Sequence, residues 1–209
     1  TPLLPDHALT WLKNAIGSIE VNSESTEEYF DLLLRLVSDS KNISQGELTS
    51  LATAVCSKLA VCPRPSSETL VVDFSTGVLC GCLGLLEALI NNVGGSILEE
   101  GTTILLKEFK VSRWSELTSF PGKARPYDVI LTDLMGVIFE AFLSPGGATS
   151  ILAICCDNKS RQRGFSVVGS AARCCKDGNG YMALVQRINV LVSAASPFLK
   201  HRWGQSAAG

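Results

Sequence analysis

Any covalent or metal chemistry in this chain would have to come from its cysteines, because the sequence holds eight of them and only two histidines, His7 and His201. The thiols stand at Cys56, Cys62, Cys80 and Cys82 and in two adjacent pairs, Cys155-Cys156 and Cys174-Cys175. A nucleophilic thiol needs a base or cation beside it, and a zinc site needs ligand spacings that let four donors converge. On a helix, Cys80 and Cys82 point about 200° apart and do not face one metal. The adjacent pairs can meet across neighbouring helices, but only in surroundings of Ile and Ala that suit four thiolates poorly. Because most of these cysteines lie inside apolar helical runs, they read as reduced, buried thiols of an intracellular protein rather than as a disulfide framework. His7 sits beside a predicted helix start and His201 near the end of the chain, where surface or helix-end roles fit better than general-base catalysis.

Other motifs are weak. Lys176 to Tyr181 (KDGNGY) shares an opening with calcium loops but lacks their later oxygen ligands and closing glutamate, so it reads as a glycine turn. Neither a phosphate loop nor a dinucleotide fingerprint occurs, and Gly178-Asn179-Gly180 is too short for either. No cofactor or metal is expected. Two surface features remain as candidate protein contacts. Lys159, Arg161 and Arg163, with Arg173 and Lys176 beyond, form a basic cluster that is either a solvated helix end or a dock for an acidic peptide or phosphate. Arg113, Trp114 and Phe120 lie in a long connection and are residue types favoured at interfaces; the equal alternative is that Trp114 tucks back onto the core.

The net charge of −2 is spread over 18 basic and 20 acidic residues, which gives no field for nucleic acid or an anionic membrane. With 209 residues the chain can bury roughly 70% of its unfolded surface without staples. Its 46% hydrophobic and 18% charged residues, with mean hydropathy +0.25, are apolar for a free-standing soluble domain. An excised piece of a larger cytoplasmic protein, with apolar surface meant for neighbours, accounts for that balance; the opening at Thr1 without a signal pattern agrees.

The elements are predicted to be helical throughout. The stretch from Leu70 to Val93 has no charge between Asp73 and Glu87 and is apolar most of the way round, so a helix there must be covered on several sides. Its Gly77, Gly81, Gly84 and Ala88 fall in one stripe that another helix can approach closely. The uncharged run is shorter than the ~20 residues a bilayer needs. Earlier helices are expected after Asp6, after Thr26, and from Ser44 to about Val61 with Leu48, Leu51, Val55 and Leu59 inward. Ser44 and Glu47 have capping-box spacing, as do Ser96 and Glu99 ahead of Ile104, Leu105, Leu106 and Phe109. Cys62-Pro63-Arg64-Pro65 is a break, followed by a cap at Ser66 or Ser67. Lys110 to Pro126 reads as the longest connection. Pro126 then opens a helix burying Tyr127, Ile130, Leu131, Leu134, Val137, Ile138, Ala141 and Phe142, which Ser144-Pro145-Gly146-Gly147 ends. A short helix over 148–156, one over 161–175, and a last from about Gly180 to Lys200 with Leu184, Ile188, Leu191 and Val192 inward complete the chain.

Helix pairs recurring about every 40 residues predict an all-α fold of the armadillo/HEAT-like repeat type, with an irregular multi-helix bundle as the competitor. Residues 1–209 are read as a single helical-repeat domain with a candidate sub-boundary in the 110–126 connection. The opening PLLPDHALTWLKNAIG and the connection SRWSELTSFPGKARPYDVILTDL resemble the helical scaffold of the giant BIR-containing ubiquitin-conjugating proteins, which are inhibitors of apoptosis. The resemblance implies a cytosolic homodimeric parent that ubiquitinates caspases and their antagonists, with this segment beside the substrate cavity. It carries no functional residue across, because the chain has neither a BIR-type zinc set nor a His-Pro-Asn before a catalytic cysteine; other giant ubiquitin ligases and deubiquitinases carry similar arrays. The expected function is a non-catalytic helical scaffold or protein-interaction module whose partners are other protein segments. The alternative is an enzyme domain using cleft cysteines or a cysteine-bound metal.

Overall fold

The computed structural model describes residues 8–18, 26–38, 43–62, 76–117, 125–143, 158–175, 180–190 and 193, and among them there is helix and no strand. In chain order the α-helices are α1 (Ala8–Ser18), α2 (Thr26–Ser38), α3 (Gln45–Val61), α4 (Thr76–Asn92), α5 (Glu99–Phe109), the single turn α6 (Trp114–Leu117), α7 (Pro126–Ile138) and α8 (Asn158–Cys174). A 3-10 turn, Gly95–Leu98, precedes α5, a π-helical turn, Phe139–Leu143, continues α7, and residues 180–190 are helical. The chain is all-α over these residues.

The helices pack in two rows. α1, α3, α5 and α7 touch in that order along one row, and α2, α4 and α8 along the other, while α3 against α4 and α7 against α8 tie the rows together. Packing of α5 on α7 and of α4 on α8 carries the core across the 110–126 connection.

α3 shows how local sequence sets an element. Ser44 is extended (φ −66°, ψ 149°); its hydroxyl accepts from the Glu47 amide at 3.3 Å, and the Glu47 carboxylate accepts from the Ser44 amide at 3.0 Å. Two of the unpaired donors of the first turn are thus satisfied. Leu48, Leu51, Val55 and Leu59 then point inward as their spacing predicts. The helix stops because Cys62 takes the extended conformation (ψ 136°) required of a residue preceding proline. Beside them the buried Lys58 reaches the last turn of α1, its Nζ donating to the Gly17 carbonyl at 3.4 Å, where the helix dipole favours a cation.

α4 is the helix that the rows close around. Val78, Leu79, Cys82, Leu83, Leu85, Leu86, Leu89 and Ile90 are all buried, which puts apolar contact on most of its circumference. Its remaining face is the small-residue stripe. α2 and α8 both pack on α4, and their side chains reach the stripe. The Phe30 ring lies on Gly81, where an added Cβ would come within 2.3 Å of its Cγ and Cδ2. At Gly84 the nearest atoms would be Leu34 Cδ1 at 3.8 Å and Arg163 Cζ at 3.9 Å, which is ordinary contact.

Three expectations are corrected. Ser96 and Glu99 make no capping box: Gly95–Leu98 is a 3-10 turn, α5 begins at Glu99 with no side-chain cap, and the Ser96 hydroxyl instead accepts from Gln45 Nε2 at 3.3 Å. The tighter turn lets both Ile97 and Leu98 reach the core. Tyr127 is 52% exposed, because the first turn of α7 buries Asp128 in its place. In the last helix Ile188 faces outward at 37% exposure; Gly180 and Ala183 are buried, and small residues bring that helix against Met135 and Cys175. The π-helical turn was not foreseen, and its extra residue brings Phe139, Ala141 and Phe142 inward together, with Phe142 edge-on to Phe109 at 5.3 Å. The expected caps at Asp6, Ser66 and Ser67, the stop at 144–147, the helix over 148–156, and Leu191 and Val192 lie outside the described residues. Among those described, no helix is long and apolar enough to cross a membrane.

The two glycines in the stripe should therefore respond oppositely to alanine. Gly81→Ala pushes a methyl into the Phe30 ring and is expected to cost about 1–3 kcal/mol. Gly84→Ala has room, and by restricting the unfolded chain should stabilise by about 0.4–1 kcal/mol. Urea denaturation of both variants checks this, and shifts of the same sign would contradict the packing.

Candidate functional site

Part of the stripe borders a cleft of about 460 Å³ between α2, α4 and α8, lined by Phe30, Asp31, Leu34, Gly77, Cys80, Gly81, Gly84, Gln162, Arg163 and Ser166. Each wall follows from local sequence. α2 contributes Phe30, Asp31 and Leu34 because its periodicity buries Phe30 and Leu33 and leaves Asp31 exposed at the rim. α4 contributes glycine backbone and the half-buried Cys80. α8 contributes polar residues on the side that faces α4.

That polar side is anchored by Glu87, the first charge after the apolar run. Glu87 Oε1 accepts from the Ser166 hydroxyl at 2.5 Å and from the Ser170 hydroxyl at 3.4 Å, and Oε2 lies 3.6 Å from Arg163 Nη1. Arg173 Nη2 in turn donates to Ser170 Oγ at 2.8 Å. Arg163, Ser166, Ser170 and Arg173 thus run at helical spacing along α8 and hold α8 to α4 through one half-buried carboxylate. Arg163 stays 48% exposed at the cleft edge, against Gly84. Of the basic cluster expected from the sequence, the structure brings Arg163 to this cleft. Lys159 and Arg161 fall at the start of α8, their side chains lie outside the described residues, and so does Lys176.

The second expected contact divides. Trp114 is only 2% exposed: its ring packs on Gly136 and beside Phe139, and its Nε1 donates to Glu140 Oε1 at 2.9 Å. It is not an exposed anchor, and the alternative in which it tucks onto the core is the one observed. Arg113 reaches back to the buried Asp133 at 3.2 Å, the same carboxylate that accepts from the Ser115 amide at 3.0 Å. Phe120 lies outside the described residues. Arg187 adds a second donor to Glu140 at 2.9 Å, so one carboxylate holds α6 and the last helix together. Asp128, also buried, is held by Arg125 through paired bonds of 2.8 and 2.6 Å.

The thiols are quiet. Burial pushes Cys56 up to about 12, Cys62 and Cys175 up to about 11, and Cys82 well above the ordinary thiol value. Cys82 is raised further by Cys62 and Cys56 across the α3–α4 contact, an effect that Lys58 partly opposes. Cys80 and Cys174 are half-buried. Among the described residues, no three His, Cys, Asp or Glu side chains come together as a metal site, and none of the six described cysteines is in a disulfide. Cys155 and Cys156 lie outside the described residues.

Neither a family model, nor a curated protein, nor a solved structure matches this chain.

The Glu87 network was illegible in sequence because its members lie on helices far apart in the chain. The available signal was local: Ser166 and Ser170 interrupt the apolar positions of α8, and polar residues on a buried face need a partner.

The raised thiols have a consequence for pH. Their folded-state values lie above the unfolded value of about 9, so their contribution to stability is complete below pH 9 and is lost as pH rises towards 12. Unfolding free energy should therefore fall by roughly 1 kcal/mol per buried thiol per pH unit above about 9. Urea titrations at pH 7.5, 9 and 10 measure it, and a flat profile through pH 10 would contradict the assigned burial.

Proposed function

We propose that this chain is a non-catalytic helical scaffold and protein-interaction module, with the cleft between α2, α4 and α8 as its recognition surface. The observation that carries this reading is the recess itself: α2 and α8 flank α4 and leave between them a cleft of about 460 Å³ with the exposed Asp31, Gln162 and Arg163 in its lining. Burial of four thiols and internal pairing of Asp128, Asp133, Glu87 and Glu140 support a binding role over nucleophilic chemistry. The two rows support helical-repeat pairs, α3 with α4 and α7 with α8, stacked on neighbours as in armadillo- or HEAT-type arrays. In this reading the exposed Val61, Phe165, Tyr181 and Val190 belong to surface that adjoining segments or partners cover. The resemblance to giant BIR-containing ubiquitin-conjugating proteins makes a large cytoplasmic ubiquitin-pathway protein the proposed context, with catalysis elsewhere in that parent.

A photo-crosslinking amino acid at Gln162, in the cleft, tests the reading against the same residue at Thr103, exposed on α5. The Gln162 position should capture discrete protein partners in cells that the Thr103 position does not. Equal capture from both positions would contradict a cleft-directed interaction module.

A further inference from the structure

We infer that Ser166 is a phosphorylation site, recognised by an arginine-directed serine kinase and acting as a switch on the hold of α8 against α4. The inference goes beyond the reading of the cleft as a recognition surface and does not depend on it. Three observations carry it. The first is the basic run that opens α8. Arg161 and Arg163 stand five and three residues before Ser166, in Arg161-Gln162-Arg163-Gly164-Phe165-Ser166. A kinase that selects arginine at both positions does so with carboxylates that take each guanidinium in a forked pair, so the spacing is a recognition pattern rather than general positive charge. The neighbouring Ser160 and Ser170 have Asp157 and Val167 three residues before them and lack the pattern.

The second is access. A kinase takes its substrate in extended form, so the start of α8 has to open as far as Ser166. Of the described residues ahead of Ser166 in α8, Gln162, Arg163 and Phe165 are exposed, and Gly164 alone is buried, against Leu143. The apolar anchors Val167, Val168 and Ala171 all follow Ser166. Opening about two turns therefore exposes little apolar surface, and the glycine within them is a poor helix former. Ser166 itself is half-buried and lines the cleft.

The third is what the hydroxyl holds. Ser166 Oγ donates to Glu87 Oε1 at 2.5 Å, and Arg163 Nη1 lies 3.6 Å from Oε2. Phosphoryl transfer changes both contacts. The Oγ–P bond forms as the bond from the γ-phosphorus of ATP to its bridging oxygen breaks; ADP leaves, and the hydroxyl proton passes to the catalytic aspartate of the kinase. The product has no hydroxyl to give to Glu87 and carries about −1.5 to −2 charges at pH 7, which that carboxylate repels. Arg163, one turn earlier on the same face of α8, is drawn from Glu87 to the phosphate. Ser170 keeps its bond to Glu87 at 3.4 Å, so α8 is loosened at its start rather than released. The cleft, with Asp31 already in its lining, becomes more acidic.

The test incubates the full chain with ATP, Mg²⁺ and a purified kinase of that arginine specificity, beside a synthetic peptide of residues 158–170. Fragment mass spectrometry should place one phosphate on Ser166 in chain and peptide alike. Arg161→Gln and Arg163→Gln should each slow incorporation about tenfold, the scale of one charged hydrogen bond, and reading both changes in the peptide as well separates lost recognition from lost fold. Amide hydrogen exchange across residues 162–166 should then be about tenfold faster in the phosphorylated chain, with α3 and α5 unchanged. A peptide left unphosphorylated would overturn the recognition pattern. A phosphorylated peptide with no phosphate on Ser166 of the chain would overturn the site, because α8 would then not open. Phosphate on Ser166 with unaltered exchange would overturn the switch.

Discussion

The contact on which the rest of this structure depends is the seating of Phe30 on the glycine face of α4. A helix as apolar as Thr76–Asn92 must be buried on most of its circumference. α3 covers one side, and α2 and α8 have to share the other. They can stand close enough to do so because Gly81 offers no side chain where the aromatic ring rests. The ring also packs edge-on to Tyr29 at 5.8 Å, and burial raises the Tyr29 hydroxyl to about 12, so the α2 wall is itself held in the core. The cleft is what remains of the same face once Phe30 has taken its place. Fold and candidate site therefore share one cause.

Polar residues add direction where apolar packing alone would allow sliding. Glu87 fixes α8 on α4, Glu140 fixes α6 and the last helix on the end of α7, and Asp133 fixes Arg113 and the first turn of α6. In each case one carboxylate accepts from two donors that lie outside its own element, which satisfies a half-buried or buried charge and sets helix register together. Arg163 differs from the other cations in these networks because its ion pair, at 3.6 Å, is looser and lies at the edge of a cleft.

Much of the helical architecture was legible in sequence. The Ser44 and Glu47 capping box, Pro126 at the start of α7, the inward faces of α3 and the all-round burial of α4 follow from spacing and composition, because each depends on residues within a few turns of one another. What was not legible depends on partners distant in the chain. Ser96 and Glu99 have the spacing of a cap, yet the docking of Gly95 against Leu131 and the Tyr127 carbonyl favours a 3-10 turn. Trp114 has the composition of an interface anchor, yet Gly136 lies opposite to receive it. Ile188 has the spacing of a core residue, but Gly180 and Ala183 give closer packing and take the inner face. The small-residue stripe was visible as a pattern; that the Phe30 ring would seat on Gly81 depends on how α2 packs on α4, and no local signal encodes that.

The central claim is that Gly81 is required because of Phe30. A double-mutant cycle measures it directly: the free-energy effect of Gly81→Ala is determined by urea denaturation in the wild type and again in a Phe30→Ala background. The account predicts a loss of stability in the wild type and a neutral or favourable effect once the ring is gone, since the methyl then fills vacated space and the helix gains from alanine. The same loss in both backgrounds would contradict it.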